Sequence, residues 1–344
     1  MDLTLCLQQV EREMQALLHS PEPGLQSLYG MMAYHMGWLD RDLRPTQVSG
    51  GKRFRPLLCL LACEALRADA HCALPAAAAI ELVHNFSLIH DDIEDASPLR
   101  RHRETVWHIW GIPQAINVGD GLFVLAHLAL PPLLERGVPA ATVLAVARVL
   151  DTTCLRLCEG QYLDLVFEGR LDISIEEYLY MIGGKSASLI AASTEIGALL
   201  ATEDRRIVEA YRRFGWEMGL AFQMVDDILG IWGDPQVTGK SAASDILSRK
   251  KTLPILYALH RLESTGRIAN GQMLRQIYRQ PQVQKSDLAR VLELLEEAEA
   301  RAYVQAQAEE HTARALAALD QTGVENAAQQ QLREMATSFL QRTS

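Results

Sequence analysis

The sequence predicts an all-α protein, on three observations. Apolar residues recur at intervals of three and four almost throughout the chain, which is the period of a helix that buries one face. Alternating runs of β-branched and aromatic residues bounded by turn residues, the pattern of strands, are scarce. Proline and glycine divide the chain into helix-sized segments, and no long low-complexity linker or repeat interrupts it. We therefore expect one helical domain over residues 1–344.

The composition excludes several classes of function. The 344 residues are 49% hydrophobic, enough for a large core, and the formal net charge of -10 is opposite to that of a nucleic-acid or anionic-membrane binder. The cysteine pairs Cys59/Cys63 and Cys154/Cys158 lie in apolar helical patterns, which predicts buried, unreactive thiols rather than a metal site. No apolar leader follows Met1, and charges interrupt the apolar stretches. We expect a cytoplasmic protein without a transmembrane segment.

A cluster of carboxylates lies in the segment LIHDDIED. On a helix, Asp91 and Asp95 are one turn apart on the same face, with Asp92 beside them. The apolar ELVHNFSLI before the cluster indicates that these carboxylates point into a cavity, although a solvated acidic helix face is the alternative. Like charges at this spacing repel, and burial increases the cost. The cluster therefore requires a compensating cation.

A second acidic pair, Asp226 and Asp227, occurs in FQMVDDILG, in another segment of core-like helical sequence. The residue one turn after Asp226 is Gly230, where the first cluster has Asp95. Carboxylate oxygens without neighbouring thiols or an HxxxH pair favour Mg²⁺, which uses one or two carboxylates and completes its shell with water and phosphate oxygens. Helical bundles build such sites from carboxylates on facing helices. The two motifs therefore predict a magnesium site.

Basic residues accompany the acidic motifs, as a phosphate ligand requires. They lie in GGKRFRP, SPLRRHR, GGKS, TGKS and SRKKT. GGKS and TGKS are not P-loops, because Leu179 and Asp234 stand where that motif needs its first glycine. Each basic segment alone is more typical of a solvated surface. Their repeated placement beside glycine turns and acidic motifs, in an acidic protein, indicates phosphate binding.

Together these motifs resemble those of the trans-isoprenyl diphosphate synthases, all-helical prenyltransferases that condense isopentenyl diphosphate with an allylic diphosphate. The matching segments follow the family's order between about residues 50 and 257: GGKRFRP, ELVHNFSLIHDDIED with SPLRR, INVGDGLF, EGQYLDL, GGKSASLI, FQMVDDILG, TGKSAASD and RKKTLP. The resemblance implies a single-domain isoprenoid synthase bundle of helices around a central active-site cavity, and a homodimer. The segment rich in Ala, Glu and Gln from about residue 287 to 344 predicts solvated terminal helices.

The resemblance also implies roles for individual residues. Three Mg²⁺ ions per active site would be bound by Asp91, Asp95 and Asp226, with Asp92 and Asp227 in support. The allylic diphosphate (dimethylallyl, geranyl or farnesyl) would be held by Arg100, Lys185 and Lys240. Isopentenyl diphosphate would be held by Lys52, Arg55, His84 and Arg101. Ser186 and Gln223 would face the developing carbocation. From spacing alone, His84 is equally compatible with a satisfied core histidine.

The length of the product depends on the turn before the first motif. In the family, a bulky side chain there blocks the tunnel for the growing chain. Phe86 is large and Ser87 is small, an arrangement that resembles synthases of geranylgeranyl diphosphate (C20), with farnesyl diphosphate (C15) as the alternative. Phe86 as ordinary core packing is the competing explanation.

The sequence departs from the family pattern at three places. His102 to Thr105 replace the usual Gly-Lys-Pro-Thr, Ser186 replaces threonine, and Gly230 replaces the last aspartate of the second motif. At Gly230 the missing carboxylate would be the most distant of the set. We therefore expect weaker but persistent metal binding, and we expect Gly230→Asp to be tolerated.

Two other functions share part of this pattern. A class I terpene cyclase has the same fold and a DDxxD motif, but it normally carries an Asn/Ser/Glu triad in place of the second aspartate pair. A non-catalytic regulatory partner of a prenyl synthase tends to lose its aspartates, whereas this chain retains Asp91, Asp92 and Asp95.

Overall fold

The computed structural model describes residues 3–19, 22–46, 51, 53–67, 69–234, 243–280 and 282–340. The α-helices in these ranges are α1 (Leu3–Leu17), α2 (Gln26–His35), α3 (Phe54–Leu66), α4 (Leu74–Glu94), α5 (Val106–Trp110), α6 (Ile112–Leu128), α7 (Pro132–Glu135), α8 (Ala140–Glu168), α9 (Ile175–Ile182), α10 (Ser188–Leu199), α11 (Arg205–Trp232), α12 (Ser244–Leu247), α13 (Leu253–Ser264), α14 (Ile268–Arg279), α15 (Lys285–Glu297), α16 (Ala300–Asp320) and α17 (Ala327–Ser338).

Few other elements accompany these helices. The shorter helical turns are Pro23–Leu25, His71–Ala73 and a π-helical turn at Gly183–Ala187. One antiparallel hairpin, β1 (Leu99–Arg100) with β2 (Arg103–Glu104), is the only sheet in the described ranges. The all-α prediction is confirmed.

The chain forms two compact units. Unit 1 comprises residues 1–154, 192–212 and 322–332, and unit 2 comprises residues 155–191, 213–321 and 333–344. The central helix of unit 1 is α4, against which α1, α3 and α6 pack. Its first ten residues, Leu74 to Val83, are all buried. A helix that is apolar on every side is stable only inside a core, so this sequence places α4 in the middle of the unit.

The hairpin follows α4 and fastens the chain to α2. Its two-residue turn consists of Arg101 and His102, with φ angles of 51° and 63°. This turn matches the twist of the strands, but it usually contains Gly, Asn or Asp. Arg103 donates hydrogen bonds to the carbonyls of Tyr34 (2.9 Å) and Leu39 (2.8 Å) and lies over the Tyr34 ring. Arg103 therefore has a structural role in the hairpin.

Within the described part of the chain, two helical stretches are long and apolar enough to cross a membrane, His71–Glu94 and Ile112–Glu135. Length and composition alone do not show a transmembrane segment, so the expectation that the protein has none stays a prediction. In the first stretch, 78% of the apolar window is buried inside the protein, as in the core helix of a soluble protein. In the second, only 39% is buried, because α6 leaves one apolar face uncovered in unit 1.

The cysteine prediction is right at three of the four paired positions. Cys59, Cys63 and Cys154 are buried, whereas Cys158 is exposed. The reason is that the buried face of α8 passes through Cys154 and Leu157, and Cys158 lies just beyond its edge.

Unit 2 has its own core. Apolar side chains from α13, α14 and α15 pack together, and Tyr178, Met224 and Val304 join α9, α11 and α16 in an adjoining cluster. The C-terminal segment is helical as predicted, but α16 is not solvated, since Val304, Ala308 and Leu319 are fully buried. The small alanines allow close helix packing. Because alanine is also common on exposed helices, the composition of α16 did not indicate that one face is buried.

Candidate active site

The first acidic motif lies at the C-terminal end of α4, in unit 1. Asp91 and Asp95 are half-buried and Asp92 is only 2% exposed. The guanidinium of Arg100 reaches this group from the hairpin. Its Nε donates to Oδ1 of Asp92 at 2.7 Å, and its Nη2 lies 3.5 Å from Oδ2 of Asp91. Arg100 is therefore a compensating cation of the kind that the sequence requires.

The position of the motif at the end of α4 favours the binding of a cation. Carboxylates at a helix C-terminus face the negative end of the helix dipole, where cations are favoured instead. Burial raises the pKa of Asp92 to about 6, although the charge and hydrogen bond of Arg100 act to lower it. Negative charges that are partly buried and face the negative end of a helix dipole are unfavourable, and such unfavourable arrangements are typical of functional sites. Additional cations would stabilise these carboxylates.

A cluster of basic residues lies in the same unit. The Nη1 of Arg55 lies 3.2 Å from Nε2 of His84. Because a guanidinium can only donate, Nε2 of His84 must accept, which places the imidazole proton on Nδ1. Burial and the charge of Arg55 hold the pKa of His84 well below its usual range. The guanidinium of Arg101 lies against Gly51, 2.6 Å from where a Cβ would stand. The geometry thus groups three of the four residues expected to hold isopentenyl diphosphate, and Lys52 lies outside the described residues.

Arg53, the other arginine of GGKRFRP, has a structural role. Its side chain is 5% exposed and pairs with Glu11 at 2.8 Å and with Glu81 at 3.8 Å. Burial raises the pKa of Glu81, and the nearby arginines oppose this increase. The sequence did not indicate which of the consecutive cations turns into the core.

The two residues assigned to chain length lie on α4, before the acidic motif. Phe86 is 8% exposed and makes edge-to-face contacts with Phe123 (5.1 Å between ring centroids) and His90 (5.9 Å). Ser87 donates from Oγ to the carbonyl of His84 at 2.8 Å. Phe86 therefore belongs to an aromatic cluster with Phe123 on α6, and these ring contacts restrain its side chain.

In unit 2, the π-helical turn and α11 share a hydrogen-bonded chain. The Oγ of Ser186 donates to Oε1 of Gln223 at 2.6 Å, and Nε2 of Gln223 donates to Oδ1 of Asp227 at 3.1 Å. The other oxygen of Asp227 accepts from the hydroxyl of Tyr178 and from the amide of Leu253 at 3.1 Å. Ser186 and Gln223 are thus brought together, with the glutamine amide oriented by partners on both sides.

Lys185 lies in the same π-helical turn. Its Nζ is 2.6 Å from Oδ2 of Asp164 on α8. A Cβ at Gly160 would stand 2.2 Å from the backbone nitrogen of Lys185, so only glycine allows α8 to approach this turn so closely. Such π-helical insertions are frequent at functional sites. Lys240, the other lysine expected to grip the allylic diphosphate, lies outside the described residues.

The adjacent aspartates of the second motif have different surroundings. Asp226 is half-buried, whereas Asp227 is 2% exposed and satisfied by three donors. Burial raises the pKa of Asp227 to about 7, and its hydrogen bonds act to lower it. Asp227 therefore joins α9, α11 and the start of α13, whereas Asp226 is the more exposed member of the pair.

The expectation that Gly230→Asp is tolerated stays a prediction, and the structure shows which side chain would have to move. A Cβ at Gly230 would stand 2.0 Å from Oδ2 and 2.4 Å from Cγ of Asp245. Any side chain at Gly230 therefore requires the whole carboxyl group of Asp245 to move. Asp164, Tyr178 and Asp245 were all missed by the sequence argument as site neighbours. Asp164 and Asp245 lie in the motifs EGQYLDL and TGKSAASD, so the sequence did contain patterns from which these two neighbours could have been predicted.

The residues present are suited to Mg²⁺. Both motifs offer only carboxylate oxygens, the ligands this hard cation prefers. Both lie near the C-terminal ends of long helices, α4 and α11, where a positive charge is favoured. Among the described residues, no three His, Cys, Asp or Glu side chains are already gathered as a metal-binding group.

Comparisons with known proteins agree on the family. The polyprenyl synthetase family profile matches residues 37–295. The chain is 40% identical over 312 residues to a (2E,6E)-farnesyl diphosphate synthase of Mycobacterium tuberculosis, covering 91% of this chain and 85% of that protein. It is also 40% identical over 295 residues to a geranylgeranyl diphosphate synthase of the same organism, covering 86% and 82%. A polyprenyl synthetase structure from Streptomyces coelicolor A3(2) superimposes with a TM-score of 0.87 at 36% identity, covering 96% of both chains. The chain belongs to the polyprenyl synthetase family of prenyltransferases.

Proposed function

We propose that this enzyme is a short-chain trans-prenyltransferase that adds isopentenyl diphosphate to an allylic diphosphate and releases geranylgeranyl diphosphate (C20). The observation that carries the proposal is the pairing of Arg100 with the first motif, through its buried Asp92, at the end of α4. Such a group of fixed opposite charges suits a metal-diphosphate ligand.

The reaction follows from charge. Diphosphate leaves an allylic carbon only when the negative charge that develops on its oxygens is neutralised. Bound Mg²⁺, held by Asp91, Asp95 and Asp226, would supply most of that neutralisation. Arg100 and Lys185 would add fixed positive charge. Their present carboxylate partners at 2.7 Å and 2.6 Å hold both side chains oriented before substrate binds.

The acceptor substrate needs a second set of cations. Arg55, His84 and Arg101 would hold isopentenyl diphosphate, with Lys52 from the same segment. His84 is neutral, because burial and Arg55 lower its pKa, so it would donate from Nδ1 without adding charge. The double bond of isopentenyl diphosphate attacks the allylic carbocation, forming the new carbon–carbon bond. A proton then leaves, and the released diphosphate can accept it.

The carbocation must be protected from water. Ser186 and Gln223 would face it with oxygen dipoles, and the hydrogen bond between them fixes that orientation. Growth of the product would end when its tail meets Phe86. The aromatic cluster of Phe86 with Phe123 supports a stop at C20, and a C15 product is the alternative because relatives of both kinds are 40% identical.

A cytoplasmic homodimer is the form that we propose. Ile112, Ile116, Val124 and Leu128 lie at helical spacing on α6 and are each 43–54% exposed. Such an apolar stripe on a helix favours burial against another surface. The exposed Asp120 interrupts the stripe, which suits a protein partner better than lipid. Val124→Asp should convert the dimer to a monomer in light scattering after size-exclusion chromatography; flotation of wild-type protein with lipid vesicles would contradict it.

The decisive test of the activity is a substrate panel. Purified protein is incubated with Mg²⁺, labelled isopentenyl diphosphate and each of the dimethylallyl, geranyl and farnesyl diphosphates, and the products are sized by chromatography. We expect extension of all three to C20, and no product with EDTA. A cyclic hydrocarbon from an allylic diphosphate alone would identify a terpene cyclase. Inactivity alone, with stimulation of another prenyl synthase, would identify a regulatory subunit.

A further inference from the structure

The second acidic motif has a gap at Gly230, and a carboxylate from another element lies beside it. Gly230 is buried on α11, one turn after Asp226. The position that its Cβ would take is 2.0 Å from Oδ2 of Asp245, 2.4 Å from Cγ and 3.0 Å from Oδ1. Asp245 thus occupies the space in which the side chain of residue 230 would begin.

The described residues around Asp245 compensate little of its charge. The residue is 8% exposed, and its carboxylate accepts a long hydrogen bond of 3.3 Å from the hydroxyl of Ser244. Among the described residues, no lysine, arginine or histidine nitrogen forms an ion pair with it. A buried carboxylate with so little compensation is costly unless a cation joins it.

A buried hydroxyl near Asp245 independently indicates a ligand. Among the described residues, the hydroxyl of Tyr278 has no hydrogen-bond partner, although the residue is only 2% exposed. After burial, the charge of Asp245 is the next cause that raises the pKa of Tyr278, which places the two groups within electrostatic range of each other. Buried polar groups normally have partners, so this hydroxyl is suited to bind water or a hydrated ion.

The backbone directs Asp245 to this position. Ala243, before α12, has a φ of 53°, in the left-handed region that non-glycine residues rarely adopt. This turn places Asp245 in the first turn of α12, and the amide of Lys250 then binds the carbonyl of Asp245 at 2.9 Å. Such strain persists only where the surroundings hold it.

We propose that Asp245 supplies the carboxylate that Gly230 lacks, so that Asp226 and Asp245 together form the cation-binding set of the second motif. This inference rests on the proposed function and adds a residue to it. Glycine is then required at position 230, because any side chain there would displace the Asp245 carboxyl group from the cation-binding set.

The test is an exchange of the carboxylate between the two positions. The variants are Asp245→Asn, Gly230→Asp and the double variant Gly230→Asp with Asp245→Gly. Asp287→Asn, a charge loss elsewhere in unit 2, is the matched control. The probe is Mn²⁺ added to the full-length protein with inorganic pyrophosphate, with the dissociation constant measured by electron paramagnetic resonance.

We expect Asp245→Asn to weaken Mn²⁺ binding by about tenfold or more, within the range for supporting carboxylates of metal sites. Gly230→Asp alone should also weaken binding, and the double variant should recover most of the affinity. Unchanged binding in Asp245→Asn relative to Asp287→Asn, or a double variant no better than Asp245→Asn, would overturn the proposal.

Two further measurements distinguish a loss of metal binding from a loss of folding, and the role of Asp245 from the proposed activity. If Asp245→Asn does not fold, Gly230→Ala tests the same idea without a change in charge: alanine ordinarily stabilises a helix, and here it should weaken Mn²⁺ binding. Prenyl transfer by the wild-type protein is measured in parallel. An inactive wild type contradicts the proposed function, whereas an active wild type with Asp245-independent Mn²⁺ binding contradicts only the role of Asp245.

Discussion

The guanidinium of Arg100 lies across the end of α4, with its Nε 2.7 Å from Oδ1 of Asp92 and its Nη2 3.5 Å from Oδ2 of Asp91. One arginine therefore joins the two consecutive aspartates of the first motif. Asp92 is too buried to keep its charge without such a partner, whereas Asp91 is half-buried. The pair is thus a support for the motif before any substrate binds.

Replacing Arg100 should affect stability as well as activity. Arg100→Gln leaves Asp92 buried without its cation, which should cost roughly 1–3 kcal/mol after allowance for the partial exposure of the arginine. Urea unfolding measures this loss, and turnover should fall by at least about tenfold. Arg44→Gln, which removes an exposed contact to Asp42 at 3.9 Å, is the control and should change stability by less than about 1 kcal/mol. Equal effects of the two substitutions would contradict this role.

The adjacent aspartates of the second motif should give opposite phenotypes. Asp226→Ala should reduce turnover by at least about tenfold, since Asp226 is expected to bind metal, and it should cost less stability than Asp227→Ala because Asp226 is only half-buried. Asp227→Ala leaves Tyr178 and Leu253 without their acceptor, at about 1–3 kcal/mol for each buried donor. Parallel unfolding and steady-state assays distinguish the two. Near-normal turnover in Asp226→Ala would refute its assignment.

Phe86→Ala should lengthen the product beyond the wild-type length. The substitution removes the ring that packs on Phe123 and opens the space beyond α4, with a stability loss of about 3–5 kcal/mol. Chromatography of the products measures the length, and Phe86→Leu, which keeps most of the volume, should retain the wild-type product. An unchanged chain-length distribution in Phe86→Ala would show that Phe86 is ordinary core packing.

His102→Gly should stabilise the hairpin. The φ of 63° at His102 costs a non-glycine residue roughly 1 kcal/mol, although glycine has more freedom to lose on folding. We expect a small net gain of up to about 0.5 kcal/mol in urea unfolding, with unchanged turnover. A destabilised variant would indicate that the imidazole makes a contact that outweighs the strain.

Acid should destabilise unit 1 through its buried imidazoles. Burial and the charges of Arg100 and Arg101 lower the pKa of His35 to about 3. The unfolded chain therefore binds a proton near pH 6.5 that the folded chain does not, so stability is complete above this pH and falls as the pH decreases toward 3. The slope is up to about 1.4 kcal/mol per pH unit for one such group. Urea unfolding at pH 7.5, 6.5 and 5.5 should show a shallower slope for His35→Gln than for the wild type, with the exposed His260→Gln as control.

The sequence was a good guide to elements and motifs, for a physical reason. Helical periodicity is a local property, so it can be recognised in the sequence. The pairs Asp91/Asp95 and Asp226/Asp227 could be recognised as candidate ligands for the same reason, because their members lie close together along one helix. The arrangement of Gly230 with Asp245 could not be predicted in this way, because it joins two elements through a turn at Ala243. The sequence also did not distinguish a ligand-facing cation from a buried one.

The buried cations illustrate this limit. Arg53 and Arg55 are two residues apart, yet Arg53 pairs with Glu81 in the core and Arg55 contacts His84. The α6 stripe was overlooked for a related reason, since composition does not reveal which apolar helix face remains uncovered after folding.

The most direct test of the central claim is the product formed from farnesyl diphosphate. Wild-type protein with Mg²⁺, farnesyl diphosphate and labelled isopentenyl diphosphate should give geranylgeranyl diphosphate as the main product, because one further condensation brings the chain to its expected limit. Failure to extend farnesyl diphosphate, under conditions in which geranyl diphosphate is extended, would contradict the C20 assignment and identify a farnesyl diphosphate synthase.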